Sequence, residues 1–215
     1  MKNVFRHIKG DKTIWAVVSL LALFSFLPVY SSSSNLAYLY GDGNTFKFLL
    51  KHLTHLILGF VILYGVHKVP YNYFKGLSVI ALPIVIILLI ITITQGVTID
   101  GANASRWIRI PIVGVTFQSS TLASVVLLTY IARYLSKIKD NIITFKESVL
   151  PLWVPVFLVL TLILPANLST AAIIFSMVIV LIFIGGYPVK YLLIILFTSL
   201  MFLSFFIVSA KAFPN

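Results

Sequence analysis

The sequence predicts an all-α fold, a polytopic membrane helical bundle of about seven transmembrane helices, and three observations carry that prediction. Apolar residues make up 60% of the 215 positions and charged residues only 10%, whereas soluble domains sit near half and a quarter. A single soluble core could not hide that much apolar surface. Uncharged stretches recur at the length of a bilayer crossing, about 20 residues. Seven such crossings use roughly 140 residues, which leaves short loops and no room for a soluble domain. The chain therefore reads as a single integral membrane domain over residues 1–215. It has no cysteine, so disulfides, thiolate metal sites and thiol nucleophiles are excluded.

Charged and turn-forming clusters divide the chain into spans at roughly 14 to 30, 48 to 67, 76 to 95, 116 to 134, 149 to 164, 168 to 187 and 190 to 209. The first is followed by further spans and lacks a small-residue cleavage pattern, so it reads as a helix rather than a signal peptide. Ser31 to Ser34 reads as a polar loop, and Gly41-Asp42-Gly43-Asn44 as a turn. The stretch from Ser148 to Val189 carries no charge and is twice too long for one crossing, so it must double back. Pro165 marks the reversal, because proline removes a backbone donor and clashes with the preceding turn. Asn167 stands where it can cap the next helix.

The formal charge of +11 is explained by topology. With the N-terminus in the cytoplasm, eleven of the sixteen basic residues fall inside, which fits the positive-inside rule. The C-terminus then lies outside. No nucleic-acid partner is needed.

The outer loop between spans three and four, Thr98 to Pro111, is the most informative segment. Arg106 and Arg109 are three apart, which on a short helix puts both on one face, with Trp107 and Ile108 toward the lipid. Two guanidiniums at headgroup depth could grip phosphate oxygens in a bidentate manner. The plainer reading is an amphipathic anchor. At the head of span four, Gln118, Thr121 and Ser124 fall three apart and read as a polar face pointing into the bundle, serving helix packing or lining a substrate cavity. His52 and His55, three apart, read as interfacial anchors, since two imidazoles without a carboxylate make a weak metal site. No metal ligand set is assigned. Of the five acids, none lies within a span, and only Asp100 stands near this outer segment.

These residues resemble the SEDS proteins (shape, elongation, division and sporulation), which include FtsW, RodA and SpoVE. Gly101-Ala102-Asn103-Ala104-Ser105-Arg106-Trp107-Ile108 is similar to the family's outer-loop Gly-Ala-x-Arg-Trp-Ile signature. Phe117-Gln118-Ser119-Ser120-Thr121-Leu122-Ala123-Ser124, running on to Tyr130-Ile131-Ala132, resembles its Phe-Gln-Pro-Ser-Glu-Leu-x-Lys opening of span four. Asn167-Leu168-Ser169-Thr170-Ala171, with Gly185-Gly186 at the far end, resembles its Gln-Pro-Asp-Leu-Gly-Thr-Ala opening of span six. The likeness covers nearly the whole chain and favours the FtsW branch. The family's proline, glutamate and lysine in span four are here Ser119, Thr121 and Ser124, and its aspartate is Asn167. A charged pair lost together leaves neither member unpaired.

The resemblance implies a peptidoglycan glycosyltransferase of the bacterial cytoplasmic (inner) membrane. Such a protein polymerises lipid II, the lipid-linked disaccharide-pentapeptide, beside a class B penicillin-binding protein and other membrane proteins of division or elongation. It implies ten spans and a catalytic aspartate in a large loop after span seven, beyond residue 215. The chain thus reads as an N-terminal fragment whose substrate-binding residues are Arg106, Trp107, Arg109, Gln118, Thr121 and Ser124. No cofactor is identified, and a divalent cation at the diphosphate is left open. Two alternatives are a lipid II flippase or transporter and a non-catalytic divisome scaffold. Ion-coupled transport tends to leave acids at mid-membrane, which this chain lacks. A seven-helix retinal protein needs a lysine within a late helix, and Tyr191 to Ala210 has none.

Overall fold

The structure, a computed structural model, describes residues 11–40, 45–95, 107–109, 116–139 and 144–212. Five helical segments are long and apolar enough to cross a membrane: Lys12–Ser33, Thr45–Val66, Tyr71–Thr94, Ser119–Ile138 and Phe145–Ile163. Two shorter apolar helices, Leu168–Ile184 and Val189–Phe202, accompany them. The fold is that of a polytopic helical membrane protein. The turn at Gly41 to Asn44 lies outside the described residues.

The chain packs as two units, residues 1–71 and 72–215. The first holds α1 (Lys12–Phe24), α2 (Phe26–Tyr40) and α3 (Thr45–Val66). Asp11 caps α1 by accepting the Thr13 amide at 2.7 Å, and that bond, with help from the Thr13 hydroxyl, holds its carboxyl below the ordinary value. The helix breaks at Ser25. Pro28 explains the break, since it has no N–H to offer the carbonyl four residues back. Contrary to the loop expected there, Ser31 to Ser34 continue α2. The Ser33 hydroxyl donates to the Tyr30 carbonyl at 3.2 Å, a back-bond that lets a serine run stay helical. Trp15 meets the His67 ring edge-on at 5.3 Å, joining the start of α1 to the end of α3. The apolar faces of α1 and α3 are largely exposed, as suits helices facing lipid.

The second unit contains the core. It comprises α4 (Tyr71–Gln95, shared at its first residue), β1 (Trp107–Arg109), β2 (Thr116–Gln118), α5 (Ser119–Ile138), α6 (Phe145–Ser148), a π-helical turn (Val149–Trp153), α7 (Val154–Ile163), α8 (Leu168–Ile184) and α9 (Val189–Ala212). Ala123, Leu127, Ile131 and Leu135 bury one ridge of α5. Ala171, Ile174, Val178 and Ile182 bury the matching face of α8. Repeats of three and four residues let such ridges interdigitate, and alanines at the heads of both admit close approach.

Local chemistry fixes the joints. Thr144 and Glu147 form a capping box at the start of α6. Pro155 has no N–H for the Pro151 carbonyl, and the Tyr130 hydroxyl donates to that carbonyl at 2.9 Å instead. The π-turn contains Pro151 and ends two residues before Pro155, with the Val154 amide reaching back five residues to Val149. Helix α7 ends at a turn containing Pro165, where the Asn167 amide donates to Ile163 at 2.9 Å. Asn167 then caps α8, its Oδ1 accepting the Thr170 amide at 3.1 Å. The far end of α8 closes with Gly186 at φ 77°. There the Tyr187 amide donates to Ile182 and the Gly186 amide to Phe183, the paired bonds of a Schellman cap. That cap sets buried Tyr187 so its hydroxyl lies 2.6 Å from Ser148 Oγ and 3.3 Å from the Trp153 indole nitrogen, which donates to it.

Candidate functional site

Position 107 lies on a strand, not a helix. Trp107 pairs with Gln118, Ile108 with Phe117 and Arg109 with Thr116 in an antiparallel ribbon. This corrects two expectations. The three-residue spacing of Arg106 and Arg109 has no helix to act on, and Arg106 itself lies outside the described residues, as do Asp100 and the Gly101 to Ser105 part of the motif. Trp107 and Ile108, adjacent on a strand, point to opposite faces and are both half-buried, so they cannot both turn to lipid. The signal for a ribbon was present. Ile108-Arg109-Ile110-Pro111-Ile112-Val113-Gly114-Val115-Thr116 is rich in β-branched residues about a Pro/Gly turn.

The strand β2 runs directly into α5, with Gln118 as its N-cap in extended conformation and no side-chain capping bond. The first-turn amides of α5 are left without a side-chain acceptor from that residue, and they carry the positive end of the helix dipole. The line Gln118, Thr121, Ser124 does not face the core. Thr121 is exposed and Ser124 half-buried. Thr121 Oγ1 donates to Gln118 Oε1 at 3.1 Å and Ser124 Oγ to the Thr121 carbonyl at 2.8 Å. The inward polar pair is Ser119 and Ser120, one residue out of register with the expected face.

Thr92 of α4 meets them, its Oγ1 2.9 Å from Ser119 Oγ and 2.6 Å from the Leu88 carbonyl. A hydroxyl has one proton, so Thr92 gives its own to Leu88 and Ser119 supplies the donor between the two. The narrow cleft around this pair is lined by Leu89, Thr92, Ile93, Ser119, Ser120, Leu162, Ile163, Ala166 and Asn167. It lies beside the cap of α8 and the head of α5. Among the described residues, no ionisable side chain lines it, and the neutral donors and acceptors that do can hold a polar group. Thr121, Ser124 and Asn167, which replace the charged residues of the resembled motifs, are all satisfied by hydrogen bonds of their own elements. Sequence reasoning missed Thr92, Ser119 and Ser120. Thr92 sits in an Ile-Thr-Ile-Thr run that reads as plain span, and the two serines fall between the positions of the three-residue spacing.

Comparison with known proteins agrees with the fold. Residues 11–213 match the FtsW/RodA/SpoVE family model, described as "Cell cycle protein". A "Probable peptidoglycan glycosyltransferase FtsW" of Geobacter sp. (strain M18) is 31% identical over 87% of this chain and 51% of its own length. One from Marinomonas mediterranea is 24% identical over 88% and 48%. The chain spans about half the length of such relatives. Crystal structures of the Thermus thermophilus rod shape determining protein RodA share the fold. One superposes with a TM-score of 0.60 at 22% identity, covering 84% of this chain and 58% of that one. A point mutant of it gives 0.59 at 23%, covering 82% and 57%. The chain therefore belongs to the SEDS family of FtsW, RodA and SpoVE, with its likeness on the FtsW side, and is a multi-pass protein of the bacterial cytoplasmic membrane.

Proposed function

We propose that the chain supplies the lipid-facing substrate-binding part of a peptidoglycan glycosyltransferase acting on lipid II, in partnership with a class B penicillin-binding protein. One observation carries the reading. The ribbon aligns Trp107 with Gln118 and hands the chain straight into the head of α5, where Gln118 makes no side-chain capping bond, at the positions of two family signatures. Glycosyl transfer from a lipid diphosphate needs cationic or dipolar groups where the leaving charge develops. Arg109, on the ribbon, and the α5 amides are suited to that task. The transfer also needs a base beside the acceptor hydroxyl. The described residues of the cleft offer none, and none of the five acids lies within an expected span.

The purified chain is therefore expected to bind lipid II without polymerising it. Trp107→Ala should weaken binding by about tenfold, a loss of about 1.4 kcal/mol. Binding can be read by titration in detergent and polymerisation by gel separation of glycan products. Glycan strands made by this chain alone, or lipid II binding indifferent to the Trp107 change, would overturn the reading.

A further inference from the structure

The groove between α2 and α3, within the first unit, is lined by a cluster of basic and hydroxyl side chains apart from the ribbon and the head of α5. Lys51, His52 and His55 line it from α3, and Ser32 and Ser33 from α2, against an apolar wall that includes Phe48. The protons can be assigned. Ser25 Oγ donates to the Ala22 carbonyl at 2.7 Å, so His52 Nε2, 2.8 Å from the same oxygen, is the donor there. His52, stacked edge-on against Phe26 at 5.1 Å, is thus tied into the wall. His55 Nδ1 lies 2.6 Å from the Lys51 carbonyl, which can only accept, so the ring's other nitrogen is left for a ligand.

Among the described residues, Lys51 Nζ and Ser32 Oγ have no hydrogen-bond or ion-pair partner, and no carboxylate lines the groove. Lys51, His52 and His55 are the titratable groups facing it, all from α3; α2 contributes hydroxyls and apolar side chains. Two imidazoles with no carboxylate beside them among the described lining residues make a weak metal site. What the groove offers is the Lys51 ammonium and the Ser32 hydroxyl with no carboxylate among its described lining residues, a match for a phosphate oxyanion.

Depth selects the source of that phosphate. Lys47 and Lys51 stand in the opening turns of a 22-residue helix that has no other lysine, no arginine and no acid. Lysines in that position reach to the headgroup layer, where lipid phosphodiesters are the abundant anion and basic pockets between spans hold lipid heads. The apolar wall suits the start of an acyl chain.

We propose that this groove binds the phosphodiester head of an anionic membrane lipid, with Lys51 and Ser32 on the phosphate oxygens and His55 beside them. The site is independent of the proposed glycosyltransferase reading. The test uses the full chain reconstituted in phosphatidylcholine vesicles doped with phosphatidylglycerol, with retained lipid counted by native mass spectrometry after mild extraction. Phosphatidylglycerol should be retained in preference to phosphatidylcholine. Lys51→Gln should cut that retention by about tenfold, Lys51→Arg should restore it, and Lys12→Gln should leave it unchanged. Ser32→Ala, which removes only a hydroxyl, provides a smaller loss in a chain whose fold is not at risk. Equal retention in wild type, Lys51→Gln and Ser32→Ala would overturn the proposal. Displacement of the bound lipid by millimolar inorganic phosphate, with no preference among lipids, would overturn the lipid as its source.

Discussion

Tyr187 is the side chain on which the inner joint of the second unit turns. It is 2% exposed, and its hydroxyl serves both Ser148 and Trp153. Removing that oxygen leaves two buried groups short of a partner, so Tyr187→Phe should lower stability by about 1–3 kcal/mol, measured by denaturant titration in detergent. The two glycines before it act by different means. A methyl at Gly185 would stand 2.6 Å from Leu135 Cδ1 and 3.2 Å from its Cβ, so Gly185→Ala should cost about 1–3 kcal/mol through overpacking of α5 on α8. Gly186 has open space around it but a positive φ, and Gly186→Ala should cost about 1–2 kcal/mol through the left-handed backbone. Pairing each with Leu135→Ala separates the cases. The smaller partner should relieve Gly185→Ala and leave Gly186→Ala unchanged.

Helix ends were legible where side-chain chemistry is local. Asn167 was expected to cap α8 and does so. Pro165 was expected to turn the chain and lies in the turn. What escaped were choices made by neighbours. Arg106 and Arg109 suggested a helix because their spacing of three has meaning there, yet the β-branched run around them pairs with its own continuation into a ribbon. The polar line Gln118, Thr121, Ser124 suggested an inward face, but helices in lipid pack through small residues, and Ser119, Ser120 and Ala123 are the ones buried. At the start of α1, the bond from Thr13 holds the Asp11 carboxyl below its ordinary value. A depressed acid gives its stabilisation above the unfolded value and loses it as pH falls through the folded one. Protection of the Thr13 amide, measured against its intrinsic exchange rate at each pH, should therefore fall as pH drops through the folded value. In Asp11→Asn, whose side chain caps without titrating, the acid-dependent step should vanish.

At the scale of the whole chain, composition alone was enough for a membrane protein, because the uncharged stretches match the bilayer and the charges gather between them. Five long apolar helical segments and two shorter ones follow that division, with ends displaced by a few residues. Two displacements have clear causes. The first span breaks at Ser25 ahead of Pro28, and the fifth begins at Phe145 because the capping box starts the helix before its apolar run. The inward or outward placement of each loop is a further proposal, resting on the bias of eleven basic residues to one side. The proposed binding of a lipid-linked sugar by the ribbon and the head of α5 requires that face to be outside the cell.

The native chain has no cysteine, so single introduced thiols report position without background. Val113→Cys, between the two strands, and Asn141→Cys, between α5 and α6, can be treated in intact spheroplasts with a membrane-impermeant maleimide. Val113→Cys is expected to react at once and Asn141→Cys only after permeabilisation. The reverse pattern would put the ribbon on the cytoplasmic side and contradict its role at an outer-face substrate.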